Sequence, residues 1–321
     1  MPIVLIQRGG ATERTDAVDP GWLKAGAPEV FWVDIEKPGE ADRRLLADVM
    51  HFHELSVRDA LAETHHPKIE PYDGYLYVIL HGIQAHGQRS GFVTADIDFF
   101  IGRNYLVTVR HAPSRSIAEQ QEVCARHGQV LAEGPASLFH RIVDRMVDHY
   151  RPEIDAIEDR IEVIERQVFE KPKRSPLKAI LALKRDIAIL RRVALPQRDA
   201  VGRLARREFP EIPDSLAYRF RDVYDHLVQI TDEAVFFQDR ITGLLDAHLS
   251  SQSNRLNQVM KVLTVIATIF MPPTVLSSMF GMNVTLPVFP GGGDAQFWWI
   301  FGIIVAMAGA MLWMFRRADW L

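Results

Sequence analysis

The chain has 321 residues, which is long enough to bury a large core and allows roughly two domains. Hydrophobic residues make up 48% and charged residues 24%, so a chain that is disordered throughout is excluded. The formal net charge of −4 argues against a nucleic-acid binder that relies on bulk positive charge. The one cysteine, Cys124, excludes a disulfide framework and a four-cysteine zinc site within one chain.

The first 135 residues alternate between strand-like and helix-like segments, which predicts a mixed α/β domain. Two strand-like segments flank Gly102-Arg103-Asn104, a sequence typical of a hairpin turn. Helical spacing and charge mark Gly39–Met50 and Leu55–Ala62. The predicted strands are Val30–Ile35, Gly74–Ile83, Ile97–Ile101 and Tyr105–Val109.

The next segment is helical and strongly charged. Pro135 and Ser137 are helix start signals, and we predict one helix from Leu138 to Val168 and a second from Leu177 to Phe209. Acidic residues crowd the first helix and basic residues the second, so an antiparallel hairpin would bring opposite charges together. Two solvated faces explain the same pattern, because an exposed ion pair contributes only about 0–1 kcal/mol.

A third helix is predicted from Asp214 onwards, because no proline follows before Pro272. Its apolar residues recur at alternating steps of four and three, which is the spacing of a coiled-coil seam. They are Leu216, Phe220, Val223, Leu227, Ile230, Ala234, Phe237, Ile241 and Leu244. We expect one helix of about 65 residues, roughly 100 Å long, that continues into a membrane. The seam also gives several copies a reason to associate.

Two segments near the C-terminus are long and apolar enough to cross a bilayer, which takes about 20 residues. Val262 to Gly293 contains no charged residue, and neither does Ala295 to Phe315. The basic residues that flank this pair of segments are Arg255, Lys261, Arg316 and Arg317. The loop between the segments has no Lys or Arg, so the positive-inside rule places both termini in the cytoplasm. We expect a multi-pass protein of the cell (inner) membrane.

The first apolar segment differs from a plain anchor because one of its faces is small or weakly polar. At helical spacing, that stripe consists of Asn257, Met260, Thr264, Ala267, Met271, Thr274 and Ser278. Pro272 and Pro273 lack N–H donors and free two backbone carbonyls, which is tolerated where water or neighbouring helices satisfy them. Two helices cannot enclose a pore, so several copies would have to surround one. A neutral wall suits an ion that keeps its water, as Mg²⁺ does.

The first apolar segment ends in Gly281-Met282-Asn283, and a basic tail follows the second. This motif at the end of the penultimate membrane helix resembles the signature of the CorA family of magnesium and cobalt transporters. The resemblance covers nearly the whole chain. It includes Arg58-Asp59-Ala60-Leu61, Pro67-Lys68-Ile69-Glu70, Lys184-Arg185, Phe220 to His226, Leu244-Leu245-Asp246 and Asn257 to Pro272.

The resemblance implies an α/β cytoplasmic domain, a long stalk helix and two C-terminal transmembrane helices, assembled as a homopentameric funnel. In residue numbers these are a cytoplasmic α/β domain (1–135), a cytoplasmic helical hairpin (136–212), a stalk helix (213–261), a pore helix (262–282), an external loop (283–295), a second transmembrane helix (296–315) and a basic cytoplasmic tail (316–321). The implied partners are further copies of the chain, the lipid bilayer and divalent cations, with no nucleic acid.

The resemblance also implies roles for individual residues. The selectivity and pore residues would be Gly281, Met282, Asn283, Thr274, Met271, Leu263, Met260 and Asn257. Asn283 would hydrogen-bond the hydrated ion at the outer mouth. Asp59 and Asp222 match the carboxylates with which the family senses cytoplasmic metal between neighbouring subunits. Two carboxylates at an interface repel each other when empty, and a divalent cation converts that repulsion into a bridge.

Other roles fit the same residues. Asn283 also suits a helix C-cap, since Asn tolerates left-handed backbone geometry. Met260, Leu263 and Met271 could serve helix–helix packing, and Asp59 and Asp222 could be solvated charges. These residues therefore indicate a transporter only together with the family resemblance.

We expect a divalent-cation channel that admits Mg²⁺, and also Co²⁺ and Ni²⁺, under the control of cytoplasmic metal. The loop after the motif holds a single carboxylate, Asp294, and Pro290-Gly291-Gly292-Gly293 looks more like the zinc-transporting ZntB branch. A zinc transporter, possibly coupled to protons, is therefore the alternative, and a membrane-anchored metal sensor is the non-transport alternative. The sequence has no phosphate-loop, dinucleotide-binding, zinc-protease or serine-hydrolase motif. We expect no enzyme activity and no tightly bound cofactor, with the metal as substrate and regulator.

Overall fold

The structure is a computed structural model. It describes residues 2–24, 26–63, 66–85, 92–170, 175–282, 290, 293–318 and 320. The chain divides into two compact units, Met1–Leu244 and Leu245–Leu321.

The first unit is built on a mixed sheet with the strand order β2-β1-β3-β7-β6-β5-β4. The strands are β1 (Ile3–Arg8), β2 (Ala11–Thr15), β3 (Val30–Glu36), β4 (Lys68–Tyr72), β5 (Tyr75–Ala85), β6 (Phe92–Gly102) and β7 (Tyr105–Arg110). β3 and β7 run parallel, and the other neighbouring pairs are antiparallel. The predicted hairpin is confirmed, since β6 and β7 pair across the Gly102-Arg103-Asn104 turn.

Helices of the first unit cover both faces of this sheet. The helices described along the chain are α1 (Glu40–Arg44, continued by one π turn, Leu45–Val49), α2 (Glu54–Leu61), α3 (Arg115–Arg126), α4 (Gln129–Ala132), α5 (Pro135–Asp148), α6 (Tyr150–Phe169), α7 (Leu177–Ala205), α8 (Asp214–Phe280) and α9 (Gly293–Arg317). Consecutive residues of β6 point to opposite faces, as in any strand. Phe99 packs edge-on against Phe139 of α5, whereas Phe100 stacks on Phe52, which precedes α2.

Two helix boundaries differ from the prediction. The helix predicted from Leu138 to Val168 is two helices, because the chain turns at His149 between α5 and α6. α5 packs on the sheet, whereas α6 packs on α7. The next helix ends at Ala205, before the predicted Phe209.

The predicted seam of α8 is buried, but inside the chain. All nine of its residues, from Leu216 to Leu244, are at most 7% exposed in the single chain. The Phe220 ring lies 5.6 Å from the ring of Phe139 on α5, and Arg240 pairs with Glu165 of α6 at 2.6 Å. The seam therefore closes a helical core within one chain, and the prediction that it drives association of copies is wrong.

The opposite charges on α6 and α7 do not pair as the sequence suggested. Among the described residues, the ion pair recorded between these helices joins Arg160 of the acidic helix to Asp186 of the basic one, at 2.7 Å. Glu165 of α6 pairs with α8 instead. Most of the charge on the two helices therefore faces solvent, which agrees with the alternative of two solvated faces.

Candidate functional site

Two of the described helices are long and apolar enough to cross a membrane, Asp214–Phe280 and Ala295–Arg317. Almost none of either apolar window is buried in the single chain. A core helix of a soluble protein would be largely buried, so this exposed apolar surface calls for lipid or for other copies of the chain.

Within the second unit, one face of α8 is covered. Val265 is buried, and Lys261 lies under the tail that follows α9, with its ammonium 5.6 Å from the centre of the Trp320 ring. The other covered or half-covered positions of this face are Thr268, Ile269, Pro272, Pro273 and Leu276. The helix continues through both prolines.

The predicted stripe lies on a different face of α8. At 100° per residue, its centre is about 130° around the helix axis from the centre of the covered face. Every predicted pore residue on α8 is exposed in the single chain: Asn257, Met260, Leu263, Met271 and Thr274. The stripe is thus turned away from the covered face and is available to line a space between copies.

Two threonines on the stripe are held in a fixed hydrogen-bonding state. The hydroxyl of Thr264 donates to the carbonyl oxygen of Met260 at 2.8 Å, and that of Thr274 donates to Phe270 at 2.7 Å. Because each hydroxyl hydrogen is already used, the oxygen lone pairs are left to accept. Acceptors suit the hydration water of a cation, which offers hydrogens outward.

The Gly-Met-Asn motif follows directly on the end of α8 at Phe280. The N–H of Gly281 donates to the carbonyl oxygen of Ser277 at 3.0 Å, and that of Met282 donates to Met279 at 3.3 Å. The Met282 side chain is exposed. Asn283, and most of the external loop predicted after it, lies outside the described residues.

Asp59, one of the two predicted sensing carboxylates, lies in the last turn of α2 and already has a cation beside it. Its Oδ2 is 2.7 Å from Nζ of Lys68 on β4, and Lys68 is also 2.9 Å from Oε1 of Glu70. Burial lowers the pKa of the Lys68 ammonium, but the hydrogen bonds to Asp59 and Glu70 outweigh it and raise that pKa above its ordinary value. The sequence offered Lys68 only as part of a motif, and its contact with Asp59 was not predicted.

Asp222, the other predicted sensing carboxylate, is exposed on the first half of α8. Burial raises the pKa of Asp144 on α5, and the charges of Asp148 and Asp222 raise it further, so Asp222 lies close to these acidic groups. In the described part of the chain, no group of three or more His, Cys, Asp or Glu side chains could hold a metal ion. One chain alone therefore does not assemble Asp59 and Asp222 into a complete metal site there.

A buried acid lies beyond Lys68. The Lys68 ammonium is 5.4 Å from the centre of the Tyr77 ring, and the Tyr77 hydroxyl donates to Oδ1 of Asp98. Asp98 is 1% exposed, and its Oδ2 has no hydrogen-bond partner among the described residues. Burial raises the pKa of this carboxyl to about 8, so it is largely protonated at neutral pH. The signal in the sequence is an acid within the apolar second half of β6, Ile97 to Ile101.

Replacing Asp98 by Asn is expected to remove a pH dependence of stability. The folded-state pKa of about 8 lies above the ordinary unfolded value, so the stability linked to the bound proton is complete at low pH and is lost as the pH rises through 8. Between pH 6 and pH 8 the wild-type chain should lose about 2 kcal/mol of stability that Asp98→Asn retains. Hydrogen exchange of β5 and β6 amides, compared between the two proteins at each pH, measures this difference. Parallel pH profiles would contradict a buried neutral acid.

The chain resembles known metal transporters over nearly its full length. A family model described as "CorA-like Mg2+ transporter protein" matches residues 28–317. The putative metal ion transporter YfjQ of Bacillus subtilis is 31% identical over 272 residues, covering 84% of this chain and 81% of that protein. The cobalt/magnesium transport protein CorA of Thermotoga maritima is 29% identical, covering 90% and 83%. The zinc transport protein ZntB of Yersinia pseudotuberculosis is 26% identical, covering 98% and 93%.

The fold matches as well. The complete structure of the CorA magnesium transporter from Methanocaldococcus jannaschii superposes with a TM-score of 0.85 at 20% identity, covering 100% of this chain and 99% of that one. An α/β unit, one long helix and two apolar C-terminal helices define a membrane protein of the metal-transporter class. The chain belongs to the CorA family of divalent metal transporters, which is not an enzyme class.

Proposed function

We propose that the chain forms a homopentameric channel that admits Mg²⁺, and also Co²⁺ and Ni²⁺, into the cell. In this proposal both termini face the cytoplasm of the cell membrane, and the α8 stripe lines the pore. The observation that carries it is the neutral stripe, whose residues are exposed in the single chain and turned away from the covered face of α8. Two helices per chain cannot enclose a pore, so such a stripe needs several copies around it.

The chemistry of the stripe favours a hydrated ion. Its hydroxyl and amide oxygens are neutral acceptors, and no carboxylate on α8 beyond Asp246 offers to replace water in an ion's inner shell. Mg²⁺ gives up its water reluctantly, so acceptors for that water suit it better than a dehydrating filter does. An inside-negative potential favours entry by about 4.6 kcal/mol per divalent ion per 100 mV, so no energy source in the chain is required.

Control by cytoplasmic metal forms part of the proposal. Asp59 and Asp222 lie on separate elements of the first unit, and the described part of one chain completes no metal site with them. A site shared between neighbouring copies would bring an Asp59 to an Asp222 and hold the ring closed when cytoplasmic metal is abundant. Loss of the metal would leave facing carboxylates that repel and would loosen the ring.

A zinc transporter is the second candidate. The observation that favours it is the similarity to proteins named ZntB, one of them along 98% of this chain. The glycine-rich stretch around Pro290 points the same way, whereas Met282 is the magnesium-type residue of the motif.

Ion entry into liposomes that contain the purified protein distinguishes the candidates. Mg²⁺, Co²⁺, Ni²⁺ and Zn²⁺ are supplied separately, each with and without an imposed pH gradient, and trapped dyes report their entry. We expect Mg²⁺ entry that is insensitive to the pH gradient and absent from protein-free liposomes. Zn²⁺ entry that requires a proton gradient, without Mg²⁺ entry, would support the zinc candidate. No flux of any ion through an intact oligomer would contradict the channel.

A further inference from the structure

We propose that Lys68 is a tethered competitor for the sensing carboxylate: its ammonium occupies the place of a divalent cation beside Asp59 and sets the metal concentration at which the sensor loads. This inference rests on the metal-sensing role of Asp59 proposed above. The Lys68 nitrogen lies 2.7 Å from Asp59 Oδ2 and 2.9 Å from Glu70 Oε1. One cation thus already bridges two carboxylates within a single chain.

The ammonium is held in place by its surroundings. Lys68 is on the edge strand β4, where its backbone pairs with Ile79 of β5. Its side chain is 30% exposed, and the Tyr77 ring lies 5.4 Å from the nitrogen. A cation close to an aromatic face is attracted by it, more strongly as water is removed. Lys68 is therefore a positioned charge and not a freely moving surface lysine.

The Lys68 ammonium and a divalent cation compete for the same place beside Asp59. The three side chains carry one positive and two negative charges, and carboxylate oxygens are the ligands that Mg²⁺ and Ca²⁺ prefer. A divalent ion that binds Asp59 repels the ammonium at this short distance, so the ammonium must leave Asp59. Glu70 already accepts a hydrogen bond from it and keeps it paired after that movement. A divalent ion therefore binds Asp59 in exchange for the ammonium. The Lys68 charge opposes metal binding, whereas Glu70 favours it by accepting the displaced ammonium.

A second basic residue near Asp59 provides a matched control. Arg58 reaches Asp59 Oδ1 at 3.7 Å, but its side chain is 71% exposed. An exposed pair at that distance is weakened by solvent and salt. Removal of the Arg58 charge should therefore matter much less than removal of the Lys68 charge, although both are positive and both neighbour the same carboxylate.

The test uses the full-length protein in lipid nanodiscs and measures how far Mg²⁺ protects it from digestion by chymotrypsin. The quantity compared between variants is the half-protecting Mg²⁺ concentration, at which half of the maximal protection is reached. Chymotrypsin is chosen because trypsin would cut at Lys68 itself. Lys68→Met removes the ammonium and keeps an unbranched apolar side chain of nearly the same length, and we expect it to lower the half-protecting Mg²⁺ concentration about tenfold, which corresponds to about 1.4 kcal/mol. Glu70→Gln removes the second partner of the ammonium and should raise that concentration about threefold. Arg58→Gln should stay within about twofold of the wild type.

The outcomes separate this inference from the proposed function. Opposite shifts for Lys68→Met and Glu70→Gln support the competitor, because a general loss of stability moves both variants in the same direction. Unchanged half-protecting concentrations in both variants, with a wild-type transition that Asp59→Asn abolishes, would overturn the role of Lys68 and leave the sensor standing. No Mg²⁺-dependent transition in the wild type would contradict the sensor and the competitor together.

Discussion

Replacement of Asn283 by Ala is expected to reduce Mg²⁺ entry into liposomes at least tenfold. In the proposed channel this amide serves the outer mouth of the pore, where it exchanges hydrogen bonds with the hydration shell of the entering ion. Every copy in the ring loses that group at once, and each net hydrogen bond is worth about 1 kcal/mol. Two such losses on the path of one ion already exceed a tenfold change in rate. Dye-reported initial rates under a fixed inside-negative potential measure the effect.

Asn254→Ala is the matched control for that substitution. Asn254 is an exposed asparagine on α8 that lies about 110° around the helix from the centre of the stripe. The Asn254→Ala variant should admit Mg²⁺ at nearly the wild-type rate. Size-exclusion chromatography of both variants checks that the oligomer persists. Unchanged entry in Asn283→Ala would remove the motif from the conduction path and return Asn283 to a helix-capping role.

The first half of α8 was the most predictable element, because apolar residues recur along it at a regular helical spacing. The apolar steps of four and three from Leu216 to Leu244 identify a buried helical face, and that face is buried. The spacing does not show what this apolar face packs against. The same spacing serves a seam between chains and a seam against α5, α6 and α7 of one chain, so the prediction of association from this pattern was wrong.

Strands were predicted where both of their sides are buried and were missed at the margins of the sheet. β2 and β4 are the edge strands of the described sheet, and each has a single hydrogen-bonded neighbour. β2 is mostly exposed, so its sequence lacks apolar alternation, and Pro71 within β4 argues against a strand although an edge tolerates it. β1 is a short apolar run near the N-terminus with buried residues in succession, a pattern that periodicity alone does not assign.

The stripe and the sensing carboxylates were found for different reasons. The stripe follows from helical spacing, which fixes the angles of its residues once α8 is known to be one helix. Asp59 and Asp222 were identified from the family resemblance alone, and the residues around them were not predicted. Lys68 is nine residues from Asp59 and on another element, so the ion pair between them depends on the fold of α2 against β4.

A buried ion pair between β3 and β7 is expected to be the most costly polar contact to break in the first unit. The side chains of Asp34 and Arg110 are 2% and 7% exposed, and they meet at 2.9 Å. Thr108 donates to Asp34 at 2.7 Å and Gln121 at 2.9 Å, so the carboxylate has several partners. In the parallel register Asp34 lies opposite Thr108, and Arg110 is two residues further along β7 on the same face of the sheet.

Replacing Arg110 by Met should destabilise this unit by about 3–5 kcal/mol, because it leaves the Asp34 carboxylate buried beside two neutral donors. The double variant Asp34→Leu with Arg110→Met should cost less than the single one, since it removes the uncompensated charge as well. Hydrogen exchange of β3 and β7 amides in the full chain measures both free energies. A single variant that costs under about 1 kcal/mol, or a double variant that costs more than it, would show that desolvation of Asp34 is not what the arginine offsets.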